Sequence, residues 1–222
     1  MHWNRKSARA VAFLGLSLTA FAVHAAPAVD AHAGTLGYGL GLTFPLANHT
    51  LEGRILFNAL DYNHSKTYDS INYDGNLRLR SAGALLDWYP FRGVFRLSGG
   101  LLYNGNKVDL TAVPNAGGTY TINGNTYSAA QVGSLTGTMD FNSVSPYLGI
   151  GLGNSLHNGR LTLLLDVGAI YQGSPKVSLS ATGAAGNPAL QADVQQAAAT
   201  VASDAASYKW WPVIQLGIGY RF

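Results

Sequence analysis

The residues of this chain able to do chemistry are few, and most are charged side chains set singly between apolar neighbours. Four carboxylates (Asp30, Glu52, Asp87, Asp166) and six cations (Arg54, Arg78, Arg80, Arg96, Lys209, Arg221) fall in stretches of apolar/polar alternation. Alternation puts such charges on the polar face of a strand. Opposite charges sharing one enclosed face either neutralise each other as ion pairs or leave some carboxylates to line a cation path. Nucleophilic catalysis would need a His beside a hydroxyl and an acidic partner. The six histidines do not offer that. His2 and His24 belong to the extreme N-terminus, and His32, His49, His64 and His157 lie near different turns or in a short Ala-rich stretch. No enzyme is expected, and no catalytic residue is assigned. Asp61, Asp69 and Asp74, with Asn63 and Asn72, share one polar stretch. A calcium site is conceivable there, but a solvated acidic loop is the plainer reading, so no metal is assigned. The run Gly149-Ile150-Gly151-Leu152-Gly153 lacks the strand–turn–helix context of a nucleotide loop, and no cofactor is expected.

The elements that must position these charges are strands. The chain has 222 residues, 47% hydrophobic and only 11% charged, with 27 glycines and 12 tyrosines. A soluble domain carries about 25% charged residues. After the N-terminus no apolar run reaches the roughly 20 residues of a membrane-spanning helix. Low charge without spanning helices points to a membrane β-barrel, with a Gly- and Tyr-rich β-sandwich as the alternative. The N-terminus reads as an export signal: Arg5, Lys6 and Arg9 precede an apolar core at Val11–Val23, and Val23-His24-Ala25 offers a cleavage site. Removing 1–26 leaves 11 basic and 11 acidic residues, so the chain's basicity is no argument for a nucleic-acid partner. There is no cysteine, which excludes disulfides, thiolate metal sites and a lipoprotein anchor.

The alternation is sharpest at the C-terminus, where Trp210, Pro212, Ile214, Leu216, Ile218, Tyr220 and Phe222 share one face. An aromatic residue closing such a strand resembles the signal read by the outer-membrane assembly machinery, here Tyr220 and Phe222. Similar alternation over 36–45, 54–59, 77–87, 95–101, 147–152 and 161–167 makes seven strands. Arg78 and Asp87 share the lumen face only if a bulge sits near Ser81–Gly83. Short connections fall at Ala47–Thr50, Pro90–Gly93 and Asn154–Gly159, and longer ones at about 62–74, 109–138 and 181–207. Short turns belong on the periplasmic side and long loops outside. A strand at 36–45 would then start outside, so parity demands an eighth at about Ala28–Ala33. Its lumen face carries Asp30 and His32, and Gly34-Thr35 makes the turn. The expectation is an all-β, up-and-down, antiparallel transmembrane barrel of eight strands over 27–222. In the long loops, Asn123-Gly124 marks a hairpin and Pro188–Ala206 a short helix. Neither suggests a separate domain.

An ordered series of motifs over about 119–222 resembles the CarO-type outer-membrane proteins, named for their association with carbapenem resistance in Gram-negative bacteria. It runs through Ile122-Asn123-Gly124, Gly137-Thr138-Met139 and Ser145-Pro146-Tyr147-Leu148-Gly149-Ile150-Gly151. It continues through Asp166-Val167-Gly168-Ala169, Gly173-Ser174-Pro175-Lys176-Val177, Gly186-Asn187-Pro188 and Tyr208-Lys209-Trp210. The first strand is shorter and more Ala-rich than the resemblance leads one to expect, and Phe222 stands where Trp is expected. The resemblance implies an eight-stranded barrel in the Gram-negative outer membrane that admits small solutes, with ornithine and other basic amino acids as suggested substrates. The partners expected are outer-membrane lipid, the assembly machinery and small cationic solutes. Two functions compete on this scaffold. One is a narrow or gated channel for passive solute uptake; the other is a closed barrel that stabilises the membrane or acts at the surface through its loops.

Overall fold

The computed structural model describes residues 27–47, 50–68, 71–114, 118–155 and 159–222; the expected export signal at 1–26 lies outside them. In chain order the first strands are β1 (Ala28–Gly34), β2 (Gly37–Ala47), β3 (Leu51–Tyr68), β4 (Ile71–Trp88), β5 (Phe95–Asn104) and β6 (Lys107–Pro114). The hairpin β7 (Thr119–Ile122) and β8 (Asn125–Ser128) and a one-turn helix α1 (Ala129–Val132) follow. Then come β9 (Leu135–Asp140), β10 (Val144–Leu152), β11 (Leu161–Tyr171), β12 (Lys176–Ala181), α2 (Pro188–Asp204) and β13 (Trp210–Arg221).

Eight of these close an antiparallel barrel in the order β1-β2-β3-β4-β5-β10-β11-β13, with β1 back on β13. The strand demanded by parity is present. Asp30 of β1 stands opposite Gly41 on one side and Gly219 on the other. The outer wall carries exposed Leu40, Phe57, Leu86, Leu101, Leu148, Leu163 and Ile214. Aromatic residues border this apolar band at both ends. Tyr38, Tyr103, Tyr171 and Trp210 lie toward one end, and Trp88, Phe91, Tyr220 and Phe222 toward the other. Tyr171 meets Trp210 edge-on at 4.9 Å, and Tyr220 meets Phe222 at 5.3 Å. An apolar band between aromatic girdles is the exterior of a transmembrane barrel.

Two expectations about β3 and β4 need correcting. Residues 62–68 and 71–74 are strand and not loop, because the two strands pair without a register shift from Leu51↔Trp88 to Tyr68↔Ile71. There is also no bulge at Ser81–Gly83. Each strand has 18 residues, against the roughly 9–11 that cross a bilayer, so the hairpin stands well clear of the apolar band.

Beyond the band the wall continues. The outer half of β4 pairs with β6, β6 with β9, and β9 with β12. Because β5 leads into β6, β9 into β10 and β11 into β12, this external sheet extends one side of the barrel. The break between β5 and β6 is pinned by Gly105 N donating to Arg80 O (2.8 Å) and Arg80 N to Asn106 Oδ1 (3.1 Å). The segment 109–138 therefore carries parts of two further strands, β6 and β9, besides the expected hairpin, and β12 runs up to the start of the segment 181–207 that holds the expected helix. The β7–β8 turn has Asn123 and Gly124 both at positive φ (51° and 81°), as a two-residue primed turn requires. In α2, Pro188 opens the first turn and the Asn187 side chain caps it. Hairpin, α1 and α2 bury Tyr120, Ile122, Val132, Leu190 and Val194 against Ile71, Ala112 and Ala181, making a second core outside the barrel.

Candidate functional site: the charged barrel interior

Strand alternation determines which charges meet. In β3 the even positions Glu52, Arg54, Leu56 and Asn58 point inward, and in β4 the odd positions Ser81, Leu85 and Asp87 do. Arg96 and Ser98 come from β5, Asp166 from β11 and Gln215 from β13. Interior glycines make room for the larger groups. A Cβ on Gly151 would fall 2.6 Å from the Arg96 guanidinium carbon, and one on Gly149 would fall on the Tyr147 hydroxyl.

Two arginines and two aspartates interlock at the centre. Arg54 donates to Asp166 through Nη1 and Nη2 (3.0 and 3.1 Å), and its Nε lies 2.9 Å from Asp87 Oδ2. Arg96 Nη2 donates to Asp166 Oδ1 at 2.7 Å, and Arg96 Nη1 to the Gly153 carbonyl at 2.6 Å. Ser98 Oγ donates to Asp87 at 2.5 Å. All four charged side chains are buried, from 1% exposure for Asp87 to 6% for Arg54 and Asp166. Charges removed from water are tolerable only when paired and hydrogen-bonded, and here two cations meet two anions. Nearby, Tyr89 donates to Glu52 Oε2 at 3.0 Å.

A second polar group lies on β1, β3, β4 and β13. His32 Nδ1 is 2.5 Å from Asp30, and its Nε2 is 2.9 Å from Asn58 Oδ1. Asn58 also donates to Ser81 and accepts from Gln215. An Asp–His pair is part of a hydrolase triad, but the group beside Nε2 is a carboxamide and not a nucleophile. An apolar cluster of Leu36, Leu56, Leu85, Leu102, Tyr147, Ile170 and Val213 fills more of the interior.

The predicted charges thus separate. Asp30, Glu52, Arg54, Asp87, Arg96 and Asp166 are buried inside the barrel. Arg78 and Arg80 are not in the lumen: they stand on the outer face of β4, where Arg80 pairs with Asp61 (2.5 Å) and Arg78 lies 3.8 Å from Asp109. Both sit beyond the apolar band, where an outward charge meets water instead of lipid. Lys209 is exposed at the outer end of β13, and Arg221 is half-buried at the opposite end. Tyr220 and Phe222 face outward. The neutral partners Asn58, Ser81, Ser98, Tyr89 and Gln215 escape an inventory of charges, though alternation alone put most of them inside. Among the described residues no cluster of three metal-ligating side chains occurs. Asp69, His49 and His157 lie outside those residues.

No protein-family profile and no curated protein matches the chain. Solved structures do. Acinetobacter baumannii CarO2 is similar at 25% identity and a TM-score of 0.60, over 89% of this chain and 99% of that one. CarO of the same organism is similar at 25% identity and a TM-score of 0.59, over 90% and 99%. With the closed eight-stranded barrel, its aromatic girdles and this likeness along nearly the whole of both chains, the protein is similar in architecture to the CarO-type outer-membrane β-barrels.

Proposed function

We propose that this outer-membrane barrel is closed to solutes and acts by stabilising the membrane and by surface interactions through its external sheet and helix. One observation carries the reading: Arg54, Arg96, Asp87 and Asp166, drawn from four strands, meet across the interior with almost no exposure. An eight-stranded barrel is only wide enough for its own side chains to fill. A solute passing this level would have to break several charge-assisted hydrogen bonds in low-dielectric surroundings. Passive uptake of small solutes, basic amino acids included, is the competing expectation, and it requires the network to part. In this reading 1–26 is the export signal, Tyr220 and Phe222 present the assembly signal, and the barrel performs no catalysis. Liposome swelling is a direct test. Vesicles holding the refolded barrel are expected to swell in isotonic ornithine or glycine no faster than empty vesicles. Swelling as fast as with an open porin would overturn the proposal.

A further inference from the structure

The external sheet has two unlike faces. Its inward face carries Ile71, Val108, Leu110, Leu135 and Leu179 and is partly covered by the β7–β8 hairpin and α2. Its outward face is polar along all five strands: Asn63 and Ser65 on β3, Asp74 and Asn76 on β4, and Asp109 and Thr111 on β6, with Thr136 and Thr138 on β9 and Ser178 and Ser180 on β12. Nothing among the described residues packs on this face. Because β4 runs without a register shift from Trp88 to Ile71, the face continues the lipid-contacting wall upward. What touches the wall through lipid tails must touch this face through head groups.

Two features fit a phosphorylated sugar. First, a groove of about 420 Å³ is lined by Asn63, Ser65, Asp74, Asn76, Asp109 and Thr111. Amides, hydroxyls and carboxylates set at strand spacing match the donors and acceptors of sugar hydroxyls. Second, the row nearest the bilayer holds Arg80, Arg78, Lys107 and Lys176, interleaved with Asp61, Asp109 and Asp140. Arg80 stands opposite Ala59, which itself faces the girdle residue Tyr38. Its height is therefore that of the phosphates just outside the hydrocarbon. The pairs in this row are surface pairs, about 30–48% exposed, and such pairs contribute little and exchange partners readily. Four cations against three carboxylates leave almost no net field, so charge alone does not attract an arbitrary anion.

We propose that the outward face of the external sheet binds the phosphorylated saccharide of the outer-leaflet glycolipid surrounding the barrel. The groove takes sugar hydroxyls, and the basic row beneath takes phosphate. The inference needs the outer-membrane placement but not a shut lumen, so a barrel found to conduct would leave it standing. The test is titration of the refolded, detergent-solubilised protein with rough lipopolysaccharide in mixed micelles, read by tryptophan fluorescence, with phosphatidylglycerol as the phosphate-only comparison. Lipopolysaccharide is expected to bind at least tenfold more tightly. Arg78→Gln/Lys107→Gln is expected to weaken it about tenfold. The exposed pair Asn63→Ala/Asp74→Ala is expected to weaken lipopolysaccharide about tenfold and leave phosphatidylglycerol unchanged. Equal affinity of the wild type for the two lipids, or lipopolysaccharide binding within twofold of wild type in either double variant, would overturn the proposal.

Discussion

Replacing Asp166 by Asn removes the one carboxylate that both central arginines share. Arg54 gives it two hydrogen bonds and Arg96 one, all between 2.7 and 3.1 Å. In the variant the nearest carboxylate left to the two buried guanidiniums is that of Asp87, which lies 2.9 Å from Arg54 Nε but 3.9 Å from Arg96 Nε. Arg96 would keep the Leu152 and Gly153 carbonyls as acceptors, with a neutral amide in place of the carboxylate. Removing one partner of a buried pair costs about 3–5 kcal/mol, and the upper part of that range applies when two cations are left. For a domain of this size each kcal/mol lowers the melting temperature by about 2–4 °C, so a fall of about 10–20 °C is expected. Urea unfolding in detergent, followed by tryptophan fluorescence, measures the loss. The double variant Arg54→Gln/Asp166→Asn should recover part of it, because it removes one stranded charge. A loss below about 1 kcal/mol for Asp166→Asn would refute the reasoning, since it would mean that the site is wet or the strand phase of β11 is wrong.

Other outcomes follow from the same geometry. Gly100→Ala would set a Cβ 2.1 Å from the Ala84 carbonyl and 2.8 Å from the Leu85 Cα, backbone atoms that cannot swing aside. A loss of about 1–3 kcal/mol is expected in the same unfolding assay. The neighbouring Gly99→Ala meets nothing closer than 3.8 Å and should be nearly neutral; equal effects would count against the assigned faces. In the external layer, Tyr127, Asn123 and Asn125 all donate to Asp193 of α2, and these bonds hold its carboxyl below the usual 3.8. A depressed carboxyl stabilises above its unfolded value and loses that contribution as pH falls through the folded one. Amide protection factors in the β7–β8 hairpin, that is, exchange rates corrected for their intrinsic pH dependence, should therefore fall only below about pH 4, and Tyr127→Phe should lessen that fall. Protection factors that stay constant through this range in the wild type would contradict the clamp.

Much of the wall was legible because period-two alternation survives wherever one face meets lipid and the other side chains. Even β1, whose own pattern is weak, followed from parity. The arginines of β4 misled for a physical reason. Outward charge is forbidden only within the apolar band, and β4 runs beyond it, so Arg78 and Arg80 needed no bulge to be outward. The strands β6, β9 and β12 carried a readable signal too. Lys107, Asp109 and Thr111 alternate with Val108, Leu110 and Ala112, and Lys176, Ser178 and Ser180 with Val177, Leu179 and Ala181. Their pairing is not local, however, and a stretch between membrane strands reads as loop until its partner is known. The interior network was half legible. Alternation aims Arg54, Asp87, Arg96 and Asp166 inward, but which cation meets which anion depends on the closure and stagger of the barrel.

The central claim, a lumen shut by the Arg54–Asp87–Arg96–Asp166 network, is tested most directly by single-channel recording in planar bilayers. Folded wild-type protein, its insertion verified separately, should give no steady conductance in concentrated potassium chloride. Regular, long-lived openings from that same preparation would contradict the claim.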